Sequence, residues 1–159
     1  MRDEHVAALL PLLEARYGAV TGGAQYVARV LDALDGRVST RAQFLDTAAS
    51  FFVEPDLQSS DARAFAQEAW NATAASFVRA FRSSLASSIS AADWSTAHDS
   101  IEAALLATAA ATELPVDAAR KALRFVVTGA RVGAGIVPTL VVLGRDTVLR
   151  RLNFEERGL

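Results

Sequence analysis

The sequence predicts an all-α protein. Apolar residues recur at three- and four-residue spacings along nearly the whole chain, and alanine, leucine and arginine dominate while alternating β-branched runs are scarce. The size is bounded as well: 159 residues, 52% of them apolar, suffice for one ordinary domain or two small lobes sharing an interface.

Taken in order, Val6, Leu9, Leu10, Leu13 and Tyr17 make one face of a first helix, which "GAVTGG" ends with three glycines. A second helix is expected from about 24 to 34, with Tyr26, Val27, Val30, Leu31 and Leu34 on its apolar side, and "DGR" closes it. Ser39 or Thr40 can cap a third, in which Phe44, Leu45, Ala48 and Phe51 recur at helical spacing. "FFVEPDLQSSD" breaks the pattern, because Pro55 disfavours helical geometry at Glu54. This is the best internal boundary and divides the chain into lobes 1–57 and 58–159. One long helix is then expected over 61–86, with Phe65, Trp70, Phe77 and Phe81 as its aromatic ridge, ended by "SSLASSIS". Ser95 can cap the next helix, in which Asp99 is a favourable first-turn charge. Pro115 and Asp117 restart the chain, with Asp117 as the expected N-cap of "AARKALRFVV", and Thr128 and Gly129 stop that helix. Residues 136–143 form a short apolar helix, Gly144 stops it, and "DTVLRRL" forms the last.

Several function classes are disfavoured. Charge interrupts every apolar run well short of the roughly 20 residues a membrane span needs. The acids Asp3, Glu4 and Glu14 fit neither a secretory signal nor a transit peptide. Without cysteine there is no disulfide, thiolate metal site or thiol nucleophile. His5 and His98 lack a chelating pattern, no cofactor motif occurs, and no serine sits in a nucleophile elbow, so no catalytic or metal residue is nominated. "GARVGAG" lacks the Gly-Lys-Ser or Gly-Lys-Thr of a mononucleotide loop, and no strand precedes it. Its glycines read as helix caps and a corner. Asn71-Ala72-Thr73 matches a glycosylation acceptor but falls inside the expected long helix. Trp70 and Trp94 read as core anchors.

The net charge of −2 hides an asymmetry. Residues 118–152 carry Arg120, Lys121, Arg124, Arg131, Arg145, Arg150 and Arg151 against Asp146 alone, a surplus of +6 that leaves −8 on the rest. Such a stripe is the footprint of a polyanion partner, or else a solvated basic helix face.

Within this region, "LRFVVTGARVGAGIVPTLVVLGRDTVLRRL" resembles the C-terminal end of the anticodon-binding region of bacterial-type and organellar glutamyl-tRNA synthetases. That pattern is "LR", three small or apolar residues, "TG", an apolar loop, "LLG" with a basic and an acidic residue, then "xLxRL". The matching residues are Leu123, Arg124, Thr128, Gly129, Leu143, Gly144, Arg145, Asp146, Leu149, Arg151 and Leu152. Upstream, "DWSTAHDSIEAALLATAAATEL", "FFVEPD" and "DEHVAALLPLLEARYG" are similar to further parts of the family region, so the resemblance covers essentially the whole chain.

The resemblance implies a two-lobed helical anticodon cage whose partner is tRNA, in particular glutamate tRNA, in the cytoplasm or an organellar matrix. Carried over by position, Arg124 is implied to hydrogen-bond an anticodon base, with Gly133, Ala134 and Ile136 against the splayed bases and Arg131 beside them. Arg145, Arg120 and Lys121 are implied phosphate contacts, and Arg37 or Arg41 the first-lobe base reader. An unstacked base offers its edge to a guanidinium fork and its face to apolar contact, which agrees. Two positions depart from the family: Gly133-Ala134 replaces a stiffer threonine-proline or serine-proline pair, and Leu106 stands where an arginine is frequent. The His-Ile-Gly-His-like and Lys-Met-Ser-Lys-Ser-like signatures of the adenylate-forming half do not occur, which implies a module that does not activate glutamate by itself and relies on a separate catalytic half. The competing expectation is a helical protein-interaction domain that kept the fold and lost RNA. Convergence of the basic residues on the Gly133 corner would favour RNA, and scatter over opposite faces the interaction domain.

Overall fold

The structure, a computed structural model, describes residues 2–159, with side chains from residue 3 onward. All regular structure among these residues is helical, as the periodicity implies. α1 (Arg2–Tyr17) packs along α2 (Gly23–Ala33), and both share one core with α3 (Arg41–Thr47) and the single turn α4 (Ala49–Phe52). Leu9, Leu13, Val27, Val30, Leu34 and Phe44 form their shared core. Tyr17 and Tyr26 flank Phe52, one stacked at 5.9 Å and one edge-on at 5.6 Å. Their hydroxyls donate to the carbonyls of Leu45 and Phe51, both at 2.6 Å, so these half-buried amphipathic rings pack without an orphaned polar tip. The third expected helix is therefore two short ones with a joint at Ala48. Thr40, rather than Ser39, caps α3 by accepting from the Gln43 N–H, and Gln43 returns the bond to the Ser39 N–H.

The long helix expected over 61–86 is also two. α5 (Ser60–Ala69) ends at Trp70, whose backbone is extended, and α6 (Ala72–Ser88) starts afresh because Asn71 accepts the Ala74 N–H at 2.8 Å. Asn71 is thus an N-cap rather than a mid-helix residue, a role its short amide fills well. α7 (His98–Ala111) is preceded by a 3₁₀ turn over Trp94–Thr96 and lacks a side-chain cap, so Ser95 does not cap it, although Asp99 does lie in its first turn. α8 (Val116–Thr128) has Pro115 at its N-cap position and Asp117 inside its first turn, a correction to the sequence expectation of an Asp117 cap. α9 (Ile136–Leu143) and α10 (Arg145–Leu152) follow, separated by Gly144 as expected.

α5 to α10 close around a second core built on Phe77, Phe81, Leu105, Leu123, Phe125 and Leu140. Trp94 is buried there with its indole N–H on the Leu140 carbonyl at 3.0 Å, and Trp70 packs edge-on to Phe154 at 4.9 Å. α9 belongs to both cores. Its Ile136, Val137 and Leu140 face the second, whereas Val142 and Leu143 pack against the first and α2 lies along it. The residues around α9 are consequently where the two halves of the chain meet and where a ligand would touch both.

Candidate nucleic-acid interface

α8 carries the central side chain. Its Ala122, Leu123, Phe125, Val126 and Val127 are buried, which leaves Arg124 and Thr128, one turn apart, on the strip facing the first lobe. The helix stops at Gly129, whose φ of 68° is left-handed and whose N–H returns to the Arg124 and Phe125 carbonyls. Thr128 Oγ1 also donates to the Arg124 carbonyl at 2.7 Å. The chain then turns sharply through an exposed loop before α9 begins.

Between this loop, Arg124 and Thr128 on one side and Asp46, Thr47 and Ser50 on the other lies a cleft of about 210 Å³. Arg124 Nη1 donates to the Ala134 carbonyl at 3.0 Å, and from the opposite lobe Arg37 Nη1 donates to the Gly133 carbonyl at 3.0 Å. Two guanidiniums from different lobes thus hold adjacent carbonyls of one loop. The Ala134 bond is the one hydrogen bond the Arg124 side chain makes among the described residues, so most of its five-donor fork is open to a ligand. Burial pushes the Arg124 guanidinium below its ordinary pKa and the charge of Arg37 adds to this. It nevertheless stays a cation, because arginine is not deprotonated in proteins. At the rim stands Val132, 76% exposed, by far the most exposed large apolar side chain described. A donor fork beside a bare apolar surface is the pairing an unstacked base requires, edge and face.

Not all the residues singled out in the sequence converge here. Arg124, Gly133, Ala134 and Arg37 do, but Gly133 and Ala134 contribute carbonyls, since the Ala134 side chain is buried in the first core and Ile136 in the second. Arg131, on the loop, turns to Glu68 at 2.9 Å and lies over the Phe65 ring at 5.2 Å. Arg120, read from sequence as a phosphate contact, instead pairs with Glu102 on α7. Arg145, read in the same way, donates to the Ala86 and Ile89 carbonyls at 3.1 and 3.0 Å and so caps the end of α6. Arg150 and Arg151 both reach Glu54. Lys121 is exposed on α8, and Arg41 lines a separate cleft of about 520 Å³ with His5 and Phe44. The seven-residue basic stripe is therefore largely consumed inside the fold. Sequence reasoning missed Val132, although a bulky β-branched residue among glycines, with no helix to bury it, was a usable signal. It also missed Asp46, Thr47 and Ser50, whose place opposite Arg124 depends on lobe packing.

The sequence matches the family described as "Anticodon binding domain" over residues 4–154. The chain belongs to the anticodon binding domain family. The domain is 34% identical over 146 residues to a glutamate–tRNA ligase of Afipia carboxidovorans, an alignment covering 89% of this chain and 28% of the ligase. A crystal structure of a glutamate tRNA ligase from Elizabethkingia meningosepticum, in complex with its amino acid, superimposes with a TM-score of 0.77. It is 16% identical and covers 96% of the domain and 28% of that chain, and it shows that the fold is shared. The domain thus spans a little over a quarter of either ligase, and it corresponds to their anticodon-binding part.

Proposed function

We propose that this chain is a tRNA-binding module that engages the anticodon of glutamate tRNA through the cleft between its lobes, 1–57 and 58–159, in the cytoplasm or an organellar matrix, and that adenylate chemistry belongs to a separate catalytic half. The observation that carries the reading is Arg124, half-buried, fixed by one carbonyl and lining a cleft rimmed by exposed Val132, with Arg37 on the adjacent Gly133 carbonyl of the same loop. In this reading Arg124 reads a base edge, Val132 supports a base face, and Arg37, Arg41 and Lys121 meet phosphates. Similarity to glutamate–tRNA ligases supports the choice of tRNA.

Filter binding against glutamate tRNA over a salt series tests it. Each phosphate neutralised contributes about 0.7 to 0.9 to the slope of log affinity against log salt. With so few cations uncommitted, the total slope should stay near about 2 or 3. An affinity independent of salt would sink the proposal. Arg124→Ala should cost about 1 to 3 kcal/mol and narrow the difference between cognate and other tRNAs.

A second reading rests on α7, where Ala103, Leu106, Ala107 and Ala110 form an exposed face without charge, Leu106 being 43% exposed. That face suits a protein partner, and failure of RNA binding together with association of the domain into larger species would favour it.

A further inference from the structure

Directly behind the cleft, α10 supplies a buried cation. Arg151 is 3% exposed, and its Nη1 donates to the Val127 carbonyl at 2.9 Å, its Nε to Glu54 Oε2 at 3.2 Å and its Nη2 toward the Val53 carbonyl at 3.4 Å. Val127 sits on α8 between Arg124 and Thr128, the residues of one cleft wall. Val53 and Glu54 directly follow α4, which with the end of α3 forms the other. A single guanidinium therefore ties the two walls together, a task for which its rigid fork of fixed donors is better pre-organised than a lysine ammonium. The second oxygen of Glu54 takes Arg150, and Arg157 donates to the neighbouring Val126 carbonyl at 2.6 Å. Burial alone would raise the Glu54 carboxyl, but the hydrogen bond from Arg150 and the charges of Arg151, Arg150 and Arg157 hold it below the usual carboxylate range. A buried arginine on one carboxylate adds little net stability over an apolar pair, so its value in a fold lies in geometry.

We propose that Arg151, oriented by Glu54, is a positioning residue that fixes the separation of the two cleft walls and thereby the reach of Arg124 to an RNA base. The RNA half of this rests on the function proposed above. A positioning role and a charge role have opposite signs. Removing an acid near a polyanion site raises affinity by charge alone, whereas loosening the walls lowers it.

The test is Glu54→Gln, an isosteric change at a half-exposed side chain, in the full chain, read by filter binding to glutamate tRNA. Affinity should fall about tenfold, the worth of one well-aligned charge-assisted hydrogen bond, with an unchanged salt slope and a smaller penalty for altered anticodons. Glu54→Asp, which keeps the charge toward Arg151, should recover most of the affinity. Equal or tighter binding by Glu54→Gln overturns the proposal. A second measurement needs no RNA. The chain has no cysteine, so spin labels at Ala42→Cys and Ala64→Cys, exposed on opposite lobes, report the interlobe distance without background. A shifted or broadened distribution in Glu54→Gln supports the lock, and an unaltered one overturns it. Wild-type protein that binds no tRNA would sink the RNA reading, while a shifted distribution would still support Arg151 as the residue that sets the walls.

Discussion

The "GAG" at 133–135 contains two glycines that should respond oppositely to alanine. Gly133 has φ 154°, a region that side chains rarely enter, and an added Cβ would lie 3.6 Å from Nη1 of Arg124. That is contact rather than clash, so the cost is backbone strain, about 1 to 3 kcal/mol. Gly135 sits at the α9 N-cap with φ −52° and ψ 145°, which any residue adopts. There an added Cβ meets only the Pro138 ring, Cδ at 3.4 Å and Cγ at 3.6 Å. Alanine restricts the unfolded chain, worth about 0.4 to 1 kcal/mol, but is a poorer N-cap than glycine by a comparable amount. The two effects should nearly cancel. In a chain of this length each kcal/mol moves Tm by about 2 to 4 °C. Gly133→Ala should therefore lower Tm by about 2 to 12 °C while Gly135→Ala leaves it within about 2 °C of wild type. Calorimetry on both variants checks this, and tRNA binding should weaken for Gly133→Ala alone, because the strained backbone shifts the carbonyls that hold Arg124 and Arg37. Equal shifts, or Gly135→Ala as the worse variant, would refute the loop geometry and the account of the cleft with it.

Other consequences are simpler to state. Because the folded pKa of Glu54 is depressed, its stabilisation is complete above the unfolded carboxylate pKa and disappears as pH falls through the lower folded value. The difference in urea midpoint between wild type and Glu54→Gln should accordingly be constant near neutrality and close below about pH 4. Asn71→Ala removes the α6 cap bond to the Ala74 N–H and should cost about 1 kcal/mol in urea unfolding. Val132→Asp, at an exposed position, should change stability by less than about 0.5 kcal/mol yet weaken tRNA binding clearly in the same titration.

The helical class and most helix limits were legible because they depend on local chemistry. Gly129 and Gly144 stop α8 and α9 where the sequence places the stops, and the apolar run at 136–143 is α9 to the residue. Failures occurred where two signals of similar strength competed. Around Trp70 the helical apolar rhythm continues uninterrupted, and only the Asn71 side chain shows that capping wins over propagation. At Ser95 a capping residue is present, but Trp94 must reach Leu140, and a 3₁₀ turn serves that contact instead. In the cleft, Arg124 was visible through the "LR…TG" pattern. The far wall was not, because Asp46, Thr47 and Ser50 are ordinary polar positions of short helices until the lobes dock. Charge counting was the coarsest guide to individual contacts, since a count of cations does not reveal which of them already hold a carbonyl or a carboxylate.

The chain contains fifteen arginines and one lysine, Lys121. Arg29, Arg37, Arg82, Arg145, Arg151 and Arg157 each donate to backbone carbonyls of distant elements, so guanidinium groups work here as mortar between helices. Arg145, Arg151 and Arg157 each hold more than one acceptor, work to which a planar fork of fixed donors is better suited than a compact ammonium, so arginine content here reflects helix packing and is a poor measure of affinity for RNA. The domain should then respond very differently to two reagents of apparently similar purpose. Acylation of lysine reaches one exposed side chain and leaves the scaffold standing. Dicarbonyl modification of arginine removes the fasteners between its parts, so that lost RNA binding after such treatment reports unfolding before it reports a contact with the nucleic acid.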